Sequence, residues 1–202
     1  FVVNLTIQDE AAPSPSLSLA QLYRLEELYV AFFNRIPDAD GLEYWIGQFK
    51  AGLTIVEIAE SFYAAGILYP LLTGYSASMT NEDFVDEVYR NVLGRQDGAD
   101  PAGLAYWSGE LQAGRETRGS LVSTILDSAH SFKGDPTWGW VADLLDNKIV
   151  VADTFAVQWG LNYLTAQESI EQGMAIAAAV TPEGTAEAIA LIGIEPGQLD
   201  LS

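Results

Sequence analysis

A run of residues that begins at Tyr29 returns sixty positions later, and this duplication limits the chain more than any other feature. Tyr29-Val30-Ala31-Phe32-Phe33-Asn34-Arg35 aligns with Tyr89-Arg90-Asn91-Val92-Leu93-Gly94-Arg95 at an offset of 60. Gly41-Leu42-Glu43-Tyr44-Trp45 aligns with Gly103-Leu104-Ala105-Tyr106-Trp107 at an offset of 62, and Ala51-Gly52 with Ala113-Gly114 at the same 62. Several identities in one register mark a tandem repeat, and the two extra residues fall at Gln96 to Ala99, in a loop that tolerates insertion.

The repeated unit has a helical period. Leu22, Leu25, Leu28, Tyr29, Phe32 and Phe33 recur at i, i+3, i+4 spacing, the stripe of a helix that buries one face. Pro37 ends this helix near Arg35, and a second helix runs from Asp38 or Asp40 to about Lys50, with Gly52 as its stop. Thr54 and Glu57 form a capping-box pattern for a third helix, and Thr80 opens the entry helix of the second copy with Asp83 completing its cap. After Phe132 the stretch Lys133-Gly134-Asp135-Pro136 breaks the pattern. Helices are expected from Trp138 to Leu145, Val150 to Leu164, Ala166 to Ala179 and Pro182 to Ile192, the last behind Thr181 as N-cap.

The expected fold class is all-α. It is a helical bundle of two tandem helical repeats (19–132) and a C-terminal helical region packed on them (133–202), with one short N-terminal β-strand and linker (1–18). Phe1, Val3, Leu5 and Ile7 alternate with more polar residues, which reads as a strand on an Ala-, Pro- and Ser-rich tether. A lone strand leaves its backbone groups unpaired. Three readings stay open: strand addition to a second subunit through Phe1, Val3, Leu5 and Ile7, fold-back onto the tail around Leu199 to Leu201, or a trimmed end with no role. The first makes the chain a homo-oligomer or polymer.

Charge and composition narrow the function. Asp and Glu number 28 against 9 Lys and Arg, a formal net charge of −19. Such a chain repels phosphate backbones and anionic lipid, so nucleic acid is not an expected partner. No segment reaches the roughly 20 apolar residues of a membrane span, so no membrane insertion is expected. No cysteine and a single histidine, His130, leave no thiolate site, no Cys nucleophile and no His cluster. The chain starts at Phe1 without an initiator Met, as a processed product or fragment does.

The interhelical loops hold the candidate site. Asp38, Asp40, Asp97 and Asp100 sit beside glycines and offer oxygen ligands suited to calcium, the one candidate cofactor. Asp38 and Asp100 also stand where helix N-caps belong, with Arg35 and Arg95 within pairing reach. Tyr44-Trp45 and Tyr106-Trp107 are core packing or a sugar-stacking pair, so a surface glycan is a further candidate partner. Tyr29, Phe33, Leu42, Trp45, Tyr89, Leu93, Leu104 and Trp107 are expected to be largely buried. Ser128 near His130 has no nucleophile-elbow pattern around it. Glu43, Glu57, Glu60, Glu110 and Glu116 are too common on so acidic a chain to mark a hydrolase pair. No catalytic residue is assigned, and no enzyme activity is expected.

The pattern Leu-Tyr-x4-Asn-Arg-x-Pro-Asp-x2-Gly-Leu-x-Tyr-Trp from Leu28 to Trp45 resembles the bacterial "domain of unknown function 4214" family. So does the second copy, Val88 to Trp107, although Gln96-Asp97-Gly98-Ala99 replaces the Ile-Pro before its Asp100. Asn147 to Ala152 and Val180-Thr181-Pro182 look like the region that follows such repeats, so the resemblance covers most of residues 20–192. It implies a module of a secreted bacterial surface protein, S-layer-like or adhesin-like, of a kind often found beside calcium-binding nonapeptide repeats, which are absent here. A looser likeness reaches the helical domain of phycobilisome linker polypeptides, also assembly modules. The family has no known catalytic residues to carry over. The resemblance thus implies a secreted, cell-surface structural protein that self-assembles into a layer or filament, or else a calcium- or carbohydrate-binding adhesin module.

Overall fold

The computed structural model describes residues 16–193. The strand expected at Phe1, Val3, Leu5 and Ile7 and the tail around Leu199 lie outside the described residues. Within them the chain is all-α, and no strand is found. The first copy is α1 (Leu19–Phe33), α2 (Ala39–Lys50) and α3 (Ile55–Gly66). A one-turn helix, α4 (Pro70–Thr73), leads to the second copy: α5 (Asn81–Asn91), α6 (Pro101–Gln112) and α7 (Arg118–His130). α8 (Gly139–Ala152), a π-helical turn (Asp153–Gln158), α9 (Ala166–Ala178) and α10 (Ala186–Leu191) complete it.

The sequence sets these starts by one device. α1, α3, α5, α7 and α9 each open with a capping box: Ser18 with Gln21, Thr54 with Glu57, Thr80 with Asp83, Thr117 with Ser120, and Thr165 with Glu168. Each box satisfies two backbone N–H groups that the helix start leaves free. α1 ends on Asn34 in the left-handed region, φ 50°, a conformation Asn tolerates better than most residues.

Two elements differ from the expected pattern. α8 runs unbroken through Asp146-Asn147-Lys148 and breaks only after the π-helical turn, so no separate helix spans Val150 to Leu164. Thr181 does not cap a helix at Pro182. It closes a tight turn with Gly184, and α10 begins at Ala186.

One core joins both copies: Leu25, Leu28 and Phe32 of α1, Ile58 and Phe62 of α3, Phe84 and Val88 of α5, and Leu121, Ile125 and Leu126 of α7. Tyr75, fully buried, donates its hydroxyl to Ala31 O at 3.2 Å. A second core gathers Val30 and Ile36 from the first copy with Leu144, Val151, Phe155, Ile176 and Val180, so the C-terminal helices pack on that copy. The expected burial holds for Tyr29, Leu42, Tyr89 and Leu93, whereas Phe33, Trp45, Leu104 and Trp107 are only half-buried against the core. α2 and α6 form an outer layer. The loop after the π-helical turn covers α2, where Ala39 N donates to Leu161 O at 2.9 Å. α6 lacks such a cover among the described residues, and of its residues only Ser108 is buried.

Ion pairs tie α1 to α7 and α8. Glu27, buried, meets Arg24 at 3.1 Å and His130 Nε2 at 2.5 Å; His130 Nδ1 lies 3.5 Å from Asp146, and Lys133 binds Asp143 at 2.6 Å. Beside them Glu26 is fully buried with neither carboxyl oxygen partnered among the described residues. Burial, then the nearby Asp153 and Glu27 charges, pushes its pKa from 4.5 up to about 9. The folded chain keeps that proton up to about pH 9, while the unfolded chain releases it near its ordinary 4.5. Stability is therefore full below pH 4.5 and declines as pH rises through this window. The bond to Glu27 raises His130 from 6.5 and adds a loss of the same sign. Lys148, pushed down to about 8 by burial, acts with the opposite sign above pH 8. The melting temperature is expected to fall between pH 5 and pH 8, and Glu26→Gln should remove most of that fall and raise the pH 8 value. An equally steep fall in the variant contradicts a buried neutral Glu26.

Candidate functional site

The duplicated residues converge on one frame in each copy. In the first, the Tyr29 hydroxyl accepts from Arg35 Nη2 at 2.6 Å, and the guanidinium lies over the Tyr29 ring, 5.1 Å from its centroid. In the second, Arg95 lies over Tyr89 at the same 5.1 Å, and the Tyr89 hydroxyl accepts from Trp107 Nε1 at 3.1 Å. Burial lifts Tyr29 to about 12 and raises Tyr89 as well, so both hydroxyls stay protonated. The next helix approaches each hydroxyl at a glycine. A Cβ on Gly41 would stand 3.0 Å from the Tyr29 oxygen and 2.5 Å from Asp38 Oδ1; one on Gly103 would stand 2.7 Å from the Tyr89 oxygen. The Gly and the Tyr of the repeat are therefore the two halves of one close contact.

The two frames are finished differently. In the first copy, Ser169 of α9 enters: its hydroxyl accepts from Arg35 Nη1 at 2.5 Å and donates to Asp38 Oδ2 at 2.7 Å. One turn on, the bare face of Gly173 lets α9 lie against the loop, with Ile36 N donating to Gly173 O at 3.0 Å. In the second copy no helix takes that place among the described residues. Arg95 pairs directly with Asp100 at 3.3 Å, and its other face is covered by the Trp138 ring, 4.4 Å from the centroid. An open cleft remains there, walled by Tyr89, Trp107, Phe132 and Trp138 with Arg95 and Asp100 among its lining.

The loop carboxylates have other work. Asp100 caps α6 by accepting from Gly103 N at 3.0 Å, and that bond, with Arg95, holds its carboxyl below the ordinary range. Asp38 sits at the N-cap of α2 but makes no side-chain cap, because its carboxylate is taken by Ser169. Asp40 accepts from Asn162 Nδ2 at 3.0 Å, and Asp97 is exposed in its turn. Among the described residues no group of three or more His, Cys, Asp or Glu side chains is placed to hold a metal ion.

Other sequence candidates are dispersed. His130 binds Glu27 and Asp146, not Ser128, which lines the open cleft. Glu57 caps α3, Glu60 accepts from Gly119 N, Glu110 pairs with Arg115, Glu116 accepts from Thr124, and Glu43 is exposed. Tyr44 and Tyr106 stand out at 58% and 59% exposure, each edge-on to its neighbouring Trp. Sequence reasoning missed Ser169, Gly173, Phe132 and Trp138. The Ser169 and Gly173 spacing of four on one helix is a readable signal for a docking face; nothing in the sequence aligns Trp138 with Arg95.

These features define a helical repeat module whose two copies share one polar frame. Residues 72–133 match the family model described as Domain of unknown function (DUF4214), a stretch that spans the second copy. No curated protein and no solved structure matches the chain.

The glycines test the frame. Gly103→Ala should cost about 1–3 kcal/mol, as overpacking does, because the methyl meets the Tyr89 hydroxyl. Gly109→Ala on the same helix meets nothing within 4 Å and should stabilise by up to about 1 kcal/mol through helix propensity. Thermal melts that place the two variants together contradict the close contact.

Proposed function

We propose that the chain is a non-catalytic structural and interaction module of a secreted bacterial surface protein, which assembles with copies of itself into a surface layer or extracellular filament. One observation carries this reading: the ridge between the two copies. Leu68, Tyr69, Leu71 and Leu72, on α4 and the turn before it, are all exposed, with Leu71 99% exposed and Leu68 71%. The ridge is firmly based. The Thr73 hydroxyl, buried, donates to Gly66 O at 2.9 Å, and the fully buried Tyr75 follows at once. Exposed apolar side chains close together in the chain and seated on a buried base suit a protein contact, since little ordering entropy opposes docking.

The charge of −19 sets a condition on assembly. Copies repel one another until salt or bound cations screen them. Calcium at the interhelical loops fits the proposal in that role, and the family resemblance supplies the secreted, cell-surface setting.

Sedimentation of the full chain should show assemblies that grow with ionic strength or added calcium, and Leu71→Asp should hold the chain monomeric at an unchanged melting temperature. A chain that stays monomeric under all these conditions, or a variant that assembles as the parent does, contradicts the proposal.

A further inference from the structure

We propose that the open cleft of the second copy binds a carbohydrate, with the Arg95–Asp100 pair taking a ring hydroxyl and the surrounding aromatic side chains taking the C–H faces of the sugar. The reasoning comes from the duplication inside the molecule. At the corresponding place in the first copy a hydroxyl is already bound, that of Ser169, which accepts from Arg35 at 2.5 Å and donates to Asp38 at 2.7 Å. The frame is thus built to hold a group that accepts from a guanidinium and donates to a carboxylate, and a hydroxyl does both.

In the second copy the same pair has no hydroxyl from the chain's described residues. Arg95 reaches Asp100 through one nitrogen at 3.3 Å, and the Asp100 side chain remains about half exposed (47%). The cap to Gly103 N keeps that carboxyl ionised, so it accepts from any hydroxyl brought to it. The walls of the cleft are aromatic. Phe132 and Trp138 are exposed at the mouth, and Trp107 is half-buried with its indole N–H spent on Tyr89. Its ring therefore offers apolar surface alone. A cleft of aromatic faces around a few fixed polar groups suits a small ligand with both C–H surface and hydroxyls. Among such ligands a neutral pyranose fits best, because it adds no charge to the Arg95–Asp100 pair.

This inference stands apart from self-assembly, since the ridge on α4 takes no part in it. It is tested on the full chain carrying Leu71→Asp, by saturation-transfer NMR and tryptophan fluorescence with methyl glycosides of glucose, galactose, mannose, rhamnose and N-acetylglucosamine. At least one should bind. Asp100→Asn, which retains a good helix cap, should weaken that sugar at least tenfold, and Phe132→Ala, at the exposed mouth, should weaken it too. Ser169→Ala in the first copy should leave it unchanged. Near-UV circular dichroism confirms that each variant is folded. No binding by any glycoside, or equal affinity in Asp100→Asn and Phe132→Ala, overturns the assignment. So does a peptide of residues 163–178 occupying the cleft while sugars do not, which makes it a second docking place for a helix.

Discussion

The contact between a tyrosine hydroxyl and a glycine on the following helix governs the shape of each repeat. Tyr29 meets Gly41, and Tyr89 meets Gly103, so that an added Cβ would stand 3.0 Å and 2.7 Å from the respective hydroxyl oxygens, tighter than ordinary packing. An arginine lies on each tyrosine ring at 5.1 Å, so the loop between the two helices is clamped from above while the glycine fits from below. In the first copy the polar groups gathered here bond to one another through Arg35, Ser169 and Asp38, as a half-buried site requires. The aromatic clusters depend on this placement. Trp45 reaches Phe62 at 4.5 Å because α2 is held at that distance, and Trp107 reaches the Tyr89 hydroxyl for the same reason.

Duplication followed by different use explains the rest of the molecule. In the first copy the frame became a mounting for the C-terminal helices, through Ser169 and Gly173 on α9 and a second apolar core around Ile36 and Ile176. In the second copy Trp138 covers the arginine and leaves the cleft beside it open. Tyr, Arg, Asp and Gly at matching positions thus serve packing in one place and a concave surface in the other. The outer helices differ in what they meet: Ala39 of α2 donates to Leu161 O in the loop after the π-helical turn, and α6 has no such bond to the C-terminal region among the described residues.

The local devices were legible in the sequence. Thr54 with Glu57 and Thr80 with Asp83 were readable as helix starts because their side chains bond only to neighbouring backbone. The offset between Gly41 and Gly103 exposed the repeat without any knowledge of its contacts. Burial of Trp45 and Trp107 was less legible, because an amphipathic stripe marks a face and not the depth at which that face lies. The break in α8 was misplaced for a related reason. Asp146, Asn147 and Lys148 read as a polar interruption, yet Asp146 pairs with His130, Asn147 donates to Thr181 O at 2.8 Å, and Lys148 is buried. Those partners lie far away in the chain, and only the fold brings them near. The loop aspartates show the same limit. Asp38 and Asp100 occupy equivalent positions, but one bonds a serine 131 residues away and the other caps its own helix.

The account rests on the tyrosine hydroxyl as the centre of each frame, and a double-mutant cycle in the second copy measures this directly. Tyr89→Phe removes the hydroxyl, Trp107→Phe removes the donor 3.1 Å away, and the pair of substitutions removes both. Chemical denaturation of the four proteins should give a coupling energy of about 0.5–1.5 kcal/mol, the range of one partly buried hydrogen bond. Tyr29→Phe should destabilise the first copy by a similar amount. A coupling energy indistinguishable from zero, with Tyr29→Phe as stable as the parent, would contradict the frame on which both the fold and the cleft depend.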